Sequence, residues 1–232
     1  MKDIYRLLTL DDVQKDGKAI LDVLKRIHSG DLADDLRVLN YYKEMPVSYD
    51  AKISHIGNDL VEMQVHQNQV AVMYLEKIIF LKSSHFPHDV VAKVYSVNLN
   101  ECTGKLHNFS YAQIRAERRR FVRVQIVDQI KVNFRGIDQN FTGRLIDISI
   151  GGLSLVSSVK VDIDIDTPGV LTADLPSGKL EMPGRLLKGV PMELGWSYIF
   201  EIEVNPRIET AISQFMFQKQ VEIIRELKDQ LV

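Results

Sequence analysis

From Pro46 to Val204 the chain is a series of short segments with apolar residues at every second position, and that period limits the fold more than any other feature. Alternation places successive side chains on opposite faces of an extended strand, with one face buried. Ala51–Ile56, Leu60–Val65, Val70–Met73, Lys77–Leu81, Val90–Val97 and Leu106–Tyr111 read as strands. Gly57-Asn58-Asp59, His66-Gln67-Asn68 and Asn98-Leu99-Asn100 supply turns between them. Gln113–Glu117 interrupts the beat, which then resumes through Val122, Val124, Ile126, Ile130, Val132 and Phe134. Further strands follow over Phe141–Ile150, Leu153–Ser157, Val170–Leu175, Lys179–Gly189 and Trp196–Val204. Short strands in this density predict two small antiparallel β-barrels in tandem, a mainly β protein.

Helices are expected at the two ends. Leu10, Val13, Ile20, Leu21, Leu24 and Ile27 recur at helical spacing behind Thr9, an N-cap candidate, and Gly30 closes the run. Asp31 is a cap for a second short helix with Leu32, Leu36 and Leu39. Pro206 opens a C-terminal helix whose buried stripe is Ile208, Ile212, Phe215, Ile223, Leu227 and Leu231. The resulting division is a helical segment over 1–45, a first barrel over 46–112, a linker over 113–120 and a second barrel with its helix over 121–232.

The totals remove several function classes. A formal net charge of −2 gives no general attraction for nucleic acid or acidic lipid, so any basic site must be local. One cysteine, Cys102, allows neither an internal disulfide nor a cysteine-rich zinc site, which agrees with a reducing cytoplasm. Neither a signal-peptide core after Met1 nor an apolar run of membrane-spanning length is present in the sequence.

The local basic site is Arg118-Arg119-Arg120-Phe121-Val122-Arg123, where the linker meets the next strand. If Val122, Val124 and Ile126 face the core, Phe121 and Arg123 face outward. Arg119 shares that parity, about 13 Å from Arg123 in extended chain. Two strands later Ile146, Ile148 and Ile150 share one parity, leaving Asp147 and Ser149 together on the other face, ahead of Gly151-Gly152. Arginine forks onto guanine O6/N7 or phosphate, a carboxylate accepts from guanine N–H groups, and bare glycine backbone admits a ligand close to main-chain donors.

Arg119-x-x-x-Arg123 followed by Asp147-x-Ser149-x-x-Gly152 resembles the paired signature of the PilZ domain, the bacterial receptor module for cyclic di-GMP. The resemblance runs from about Arg115 to Val232, including the closing strand at Gly195–Glu201 and the helix after it. It implies cyclic di-GMP as ligand, held by Arg118, Arg119, Arg123, Asp147, Ser149, Gly151 and Gly152. An arginine at Arg118, just before the motif, accompanies two stacked ligands per domain in the family. The N-terminal half is similar, in order and size, to the barrel preceding PilZ in YcgR-type flagellar-brake proteins. That likeness implies a non-enzymatic effector of motility, adhesion or biofilm behaviour, with a protein partner such as the flagellar motor and room for a homodimer. Two alternatives are a PilZ-type interaction module without nucleotide binding and a cyclic di-GMP-dependent DNA-binding regulator. The charge balance and the want of a basic recognition helix speak against DNA.

Other patterns are read structurally. His85-x-x-His88 has no third metal ligand indicated, and Asp162-x-Asp164-x-Asp166 has Thr167 where a calcium loop needs glycine. Ser149 has neither a nucleophile-elbow pattern nor an assignable base.

Overall fold

The computed structural model describes residues 4–57, 59–193 and 195–229. Two compact units result. One comprises the chain up to Tyr42, Pro46–Arg120 and the residues from Ile224 on; the other comprises Lys43–Met45 and Phe121–Ile223.

The first unit begins with β1 (Tyr5–Leu8) and α1 (Val13–Ser29), then β2 (Arg37–Tyr42), β3 (Met45–Asp50), β4 (Lys52–Ile56) and β5 (Val61–Gln64). After them come α2 (Gln67–Glu76), β6 (Ile78–Lys82), β7 (Asp89–Asn98) and β8 (Thr103–Ile114). The strands form one curled antiparallel sheet in the order β3-β2-β6-β7-β8-β5-β4, with β1 also on β8. The edges β3 and β4 follow each other in sequence through buried Ala51, so the sheet curls without being laced shut. Ile20 and Leu24 of α1, Val70 and Met73 of α2, and Ile79, Leu81, Val90, Leu106 and Phe109 of the sheet share one apolar core.

Three local expectations need correction here. The α1 cap is Asp12, whose carboxylate accepts from the N–H groups of Gln14 and Lys15, and not Thr9. Gly30 does close α1, with φ 83°, a left-handed value that glycine takes at little cost. The second helix expected behind Asp31 is strand β2: Val38 and Leu39 are both buried, Val38 in one apolar cluster and Leu39 in another, so successive residues of the strand both meet apolar neighbours. Conversely, Val70-Ala71-Val72-Met73, expected as a strand, is the middle of α2. All four are buried, and an apolar run with no polar face carries no period to distinguish helix from strand. Asn58, expected in a turn, lies outside the described residues.

The second unit contains β9 (Val124–Gln125), β10 (Lys131–Arg135), β11 (Asn140–Ser149), β12 (Gly152–Ser157), β13 (Pro168–Leu175), β14 (Gly178–Met192) and β15 (Gly195–Ile202). Six of these close into an antiparallel barrel, β10-β13-β14-β15-β12-β11 and back to β10, with β9 added outside on β11. The barrel interior holds Phe134, Leu145, Ile148, Leu155, Leu171, Met182, Leu186, Tyr198 and Phe200, each 2% exposed or less. Phe134 and Phe200 lie 4.9 Å apart between ring centroids, as do Phe141 and Tyr198. The Tyr198 hydroxyl accepts from Val161 N–H at 2.6 Å and donates to Val161 O at 3.1 Å, pinning the loop between β12 and β13.

The C-terminal helix is α3 (Pro206–Asp229). Asn205 caps it, its side chain accepting from Ile208 N–H at 2.9 Å. Ile208, Ile212, Phe215, Ile223 and Leu227 are buried as their spacing indicates, while Leu231 lies outside the described residues. Lys219 ties the helix to the loop after β9, its ammonium meeting the carboxylate of Asp128 and, at 2.7 Å, that of Glu222.

Candidate functional site

The site residues of the second unit gather at the end of β11 where β9 pairs with it. Asp147 lies opposite Gln125, and Ile148 opposite Val124. Ile126 N–H donates to Ile146 O at 2.7 Å, continuing the contact past β9. Arg123 is therefore delivered at the start of a strand anchored next to Asp147. Its Nη1 stands 3.9 Å from Asp147 Oδ1, an ion pair too long for a hydrogen bond. Side-chain exposures of 36% and 20% leave both groups accessible from solvent.

Strict parity fails on β11. Its pairing with β12 slips between Leu145 and Asp147, a bulge at Ile146. Leu145 and Ile148 are fully buried, whereas Ile146 and Ile150 are half-buried, so the expected Ile146/Ile148/Ile150 core face is corrected to Leu145/Ile148. A bulge re-aims the residues that follow it, and here those are the motif residues. Val122 is also outside the core, at 46% exposure, while Val124 and Ile126 are buried.

Ser149 does not stand outward beside Asp147. It is buried, and its Oγ donates to Gly152 O at 3.2 Å across the turn from β11 to β12. The hydroxyl thus holds the turn. The two glycines have different neighbours. A Cβ on Gly152 would lie 2.4 Å from the Phe200 carbonyl oxygen, because β12 and β15 approach closely there. A Cβ on Gly151 would lie 2.7 Å from the ring of Phe121. Gly151 O also accepts from Ile202 N–H at 3.2 Å. The glycines are required by a strand and a ring, and neither has the left-handed φ found at Gly195. Phe121, read from sequence only as an outward residue, is an aromatic wall of this turn; its place midway between Arg119 and Arg123 was the available signal.

Arg118 and Arg119 belong to the first unit. After β8 ends at Ile114, Arg115 N–H donates to Ile4 O at 2.7 Å, and Ala116–Arg118 makes one 3-10 turn. Arg119 follows it with extended backbone, its N–H donating to Ala116 O at 3.3 Å. Glu117 in that turn is bound by Lys82 of β6, with Nζ 2.8 Å from each carboxylate oxygen. Lys82 also reaches Asp89 Oδ1 at 3.2 Å. Burial acts to lower the Lys82 pKa, but the Glu117 hydrogen bond and the charges of Asp89 and Glu117 outweigh it and raise the pKa.

The other patterns have structural partners. His85 Nε2 lies 3.1 Å from Ala33 O, and His88 stands edge-on to Tyr111. Asp166 pairs with Arg185 at 3.1 Å. No helix among the described residues is long and apolar enough to cross a membrane.

Comparison with known proteins finds one family model that matches within the second half. Residues 117–218 match the model of the PilZ domain. An uncharacterised protein of Aquifex aeolicus (strain VF5) is 27% identical over 124 residues, a match covering 53% of this chain and 60% of that one. The match thus spans about three fifths of the relative's length. Among solved structures, Escherichia coli YcgR in complex with c-di-GMP is 13% identical, covering 96% of this chain and 100% of that one, with a TM-score of 0.45. The K. pneumonia MrkH–c-di-GMP complex is 11% identical over 96% and 99% of the two chains, with a TM-score of 0.47. Bacillus subtilis MotI/DgrA, an inhibitor of motility, is 12% identical over 81% and 95%, with a TM-score of 0.42.

Proposed function

Taking residues 117–218 as a PilZ domain, we propose that this chain is a non-enzymatic receptor for cyclic di-GMP in the cytoplasm. The observation that carries the reading is the Arg123–Asp147 pair beside the Ser149–Gly152 turn, inside the matched region. Arg123 forks onto guanine O6/N7 or a phosphate, and Asp147 accepts from guanine N–H donors. Phe121 offers its ring as a stacking surface for a guanine base or an arginine plane. Ser149 acts by holding the turn, and Gly151 and Gly152 by letting Phe121 and β15 pack against it. Arg118 and Arg119 complete the grip from the 113–120 linker, with Arg118 supporting a second stacked ligand.

One bidentate guanine contact is worth about 1–3 kcal/mol in discrimination. Several such contacts reach the roughly −8 kcal/mol of a micromolar complex. Because the arginines are contributed by both the linker and the second barrel, ligand capture biases the arrangement of 46–112 against 121–232. That bias is the signal passed to a protein partner in the motility or adhesion machinery. A ligand shifts such an equilibrium only by its difference in affinity for the two arrangements.

Thermal unfolding with and without cyclic di-GMP tests the reading. Ligand at a hundred times its Kd stabilises a folded receptor by about 2.7 kcal/mol, and GMP at the same concentration should leave Tm unchanged. An unchanged Tm with cyclic di-GMP in the high micromolar range would contradict the proposal.

A further inference from the structure

In the run Arg115-Ala116-Glu117-Arg118-Arg119-Arg120, Glu117 is the one acid among four arginines. A carboxylate so close along the chain has an effective concentration in the millimolar range toward neighbouring guanidiniums. It is therefore a built-in rival to any anionic ligand. The structure removes the rival by a specific contact: both Glu117 oxygens lie 2.8 Å from Lys82 Nζ. Lys82 is the last residue of β6, paired in register with Arg37, so its ammonium is offered from a sheet strand and not from a loop. Asp89 at the start of β7 holds the same ammonium from the other side at 3.2 Å.

We infer that Lys82 is a positioning residue for ligand capture: by engaging Glu117 it keeps that carboxylate from competing with the ligand for the linker arginines. The inference rests on the cyclic di-GMP reading and goes beyond it, because Lys82 lies outside the PilZ-matched residues. A partly exposed ion pair contributes little to stability, so its removal should change ligand affinity more than folding. Loss of Lys82 frees Glu117 to pair with the arginines. Loss of both groups removes the rival and its restraint together.

The test is calorimetric titration of cyclic di-GMP into the full chain and into Lys82→Met, Glu117→Gln and the double variant, each checked for an unchanged circular dichroism spectrum. Lys82→Met should bind about tenfold more weakly, which is about 1.4 kcal/mol. Glu117→Gln and the double variant should both bind within about twofold of wild type. Lys82→Arg retains the charge and should also bind as wild type, which keeps the test open if Lys82→Met fails to fold. Wild-type affinity in Lys82→Met, or a double variant as weak as Lys82→Met, would overturn the inference while leaving the receptor reading in place. No binding by the folded wild type would overturn the receptor reading itself, and this inference with it.

Discussion

Arg123 Nη1 and Asp147 Oδ1 face each other across 3.9 Å, one at the head of β9 and the other on the strand that β9 pairs with. A partly exposed ion pair at that separation contributes about 0–1 kcal/mol to stability. Arg123→Ala should therefore change the urea midpoint little. Its effect on cyclic di-GMP binding should be at least about tenfold, since one charged fork onto guanine or phosphate is lost. A variant that unfolds early while binding normally would show that Arg123 serves the fold.

The Ser149 hydroxyl bonds to the Gly152 carbonyl within a buried turn. Ser149→Ala should destabilise the chain by about 0.5–1.5 kcal/mol, the net worth of such a bond. Ligand affinity should fall less than in Arg123→Ala. If affinity collapses with no loss of stability, the hydroxyl touches ligand and the structural role is refuted.

Gly152→Ala and Gly151→Ala should differ in severity. At 152 the new methyl meets a backbone carbonyl of β15, which cannot move without the strand. At 151 it meets the ring of Phe121, which can turn aside. Overpacking of the first kind costs about 1–3 kcal/mol or more. Gly151→Ala should stay near wild type in Tm yet weaken binding by displacing the ring. The reverse order of Tm losses would contradict the packing described.

Asp35 provides a pH signature of the first unit. Hydrogen bonds from the Ser83 and Ser84 hydroxyls and from Ser84 N–H hold its carboxyl at about 2, below the ordinary 3.8. A lowered folded-state pKa gives stability that is present above the unfolded value and lost as pH falls through the folded one. The stability advantage of wild type over Asp35→Asn should hold steady down to about pH 4 and shrink toward about pH 2. An advantage that widens with acid would count against it. Urea unfolding at several pH values reads the difference.

The sequence declared its second half more clearly than its first, and the reasons are local. Ile208, Ile212, Phe215, Ile223 and Leu227 sit on a helix with a polar face, so period and burial agree. Val70–Met73 lies in a helix buried along this stretch and offers no polar beat to read, and in β2 the consecutive buried residues Val38, Leu39 and Asn40 break the alternation that Arg37 begins. At the site, residue types and spacing were legible, but the bulge at Ile146 was not, since a register slip is a property of the pairing with β12 and not of either strand's own alternation. Ser149 is buried where its hydroxyl closes the turn onto Gly152, a contact that alternation along one strand does not display. Lys82 could not be seen as a partner of Glu117, because 35 residues separate them and only the sheet brings them together.

The central claim is that the second unit reads cyclic di-GMP through Arg123 and Asp147, and isothermal titration calorimetry tests it most directly. Wild type should bind with a Kd of about 1 μM or tighter, two ligands per chain if Arg118 supports a stacked pair, and Arg123→Ala and Asp147→Asn should each bind at least about tenfold more weakly while remaining folded. No heat from the folded wild type at high micromolar ligand, or equal affinity in all three proteins, would contradict it.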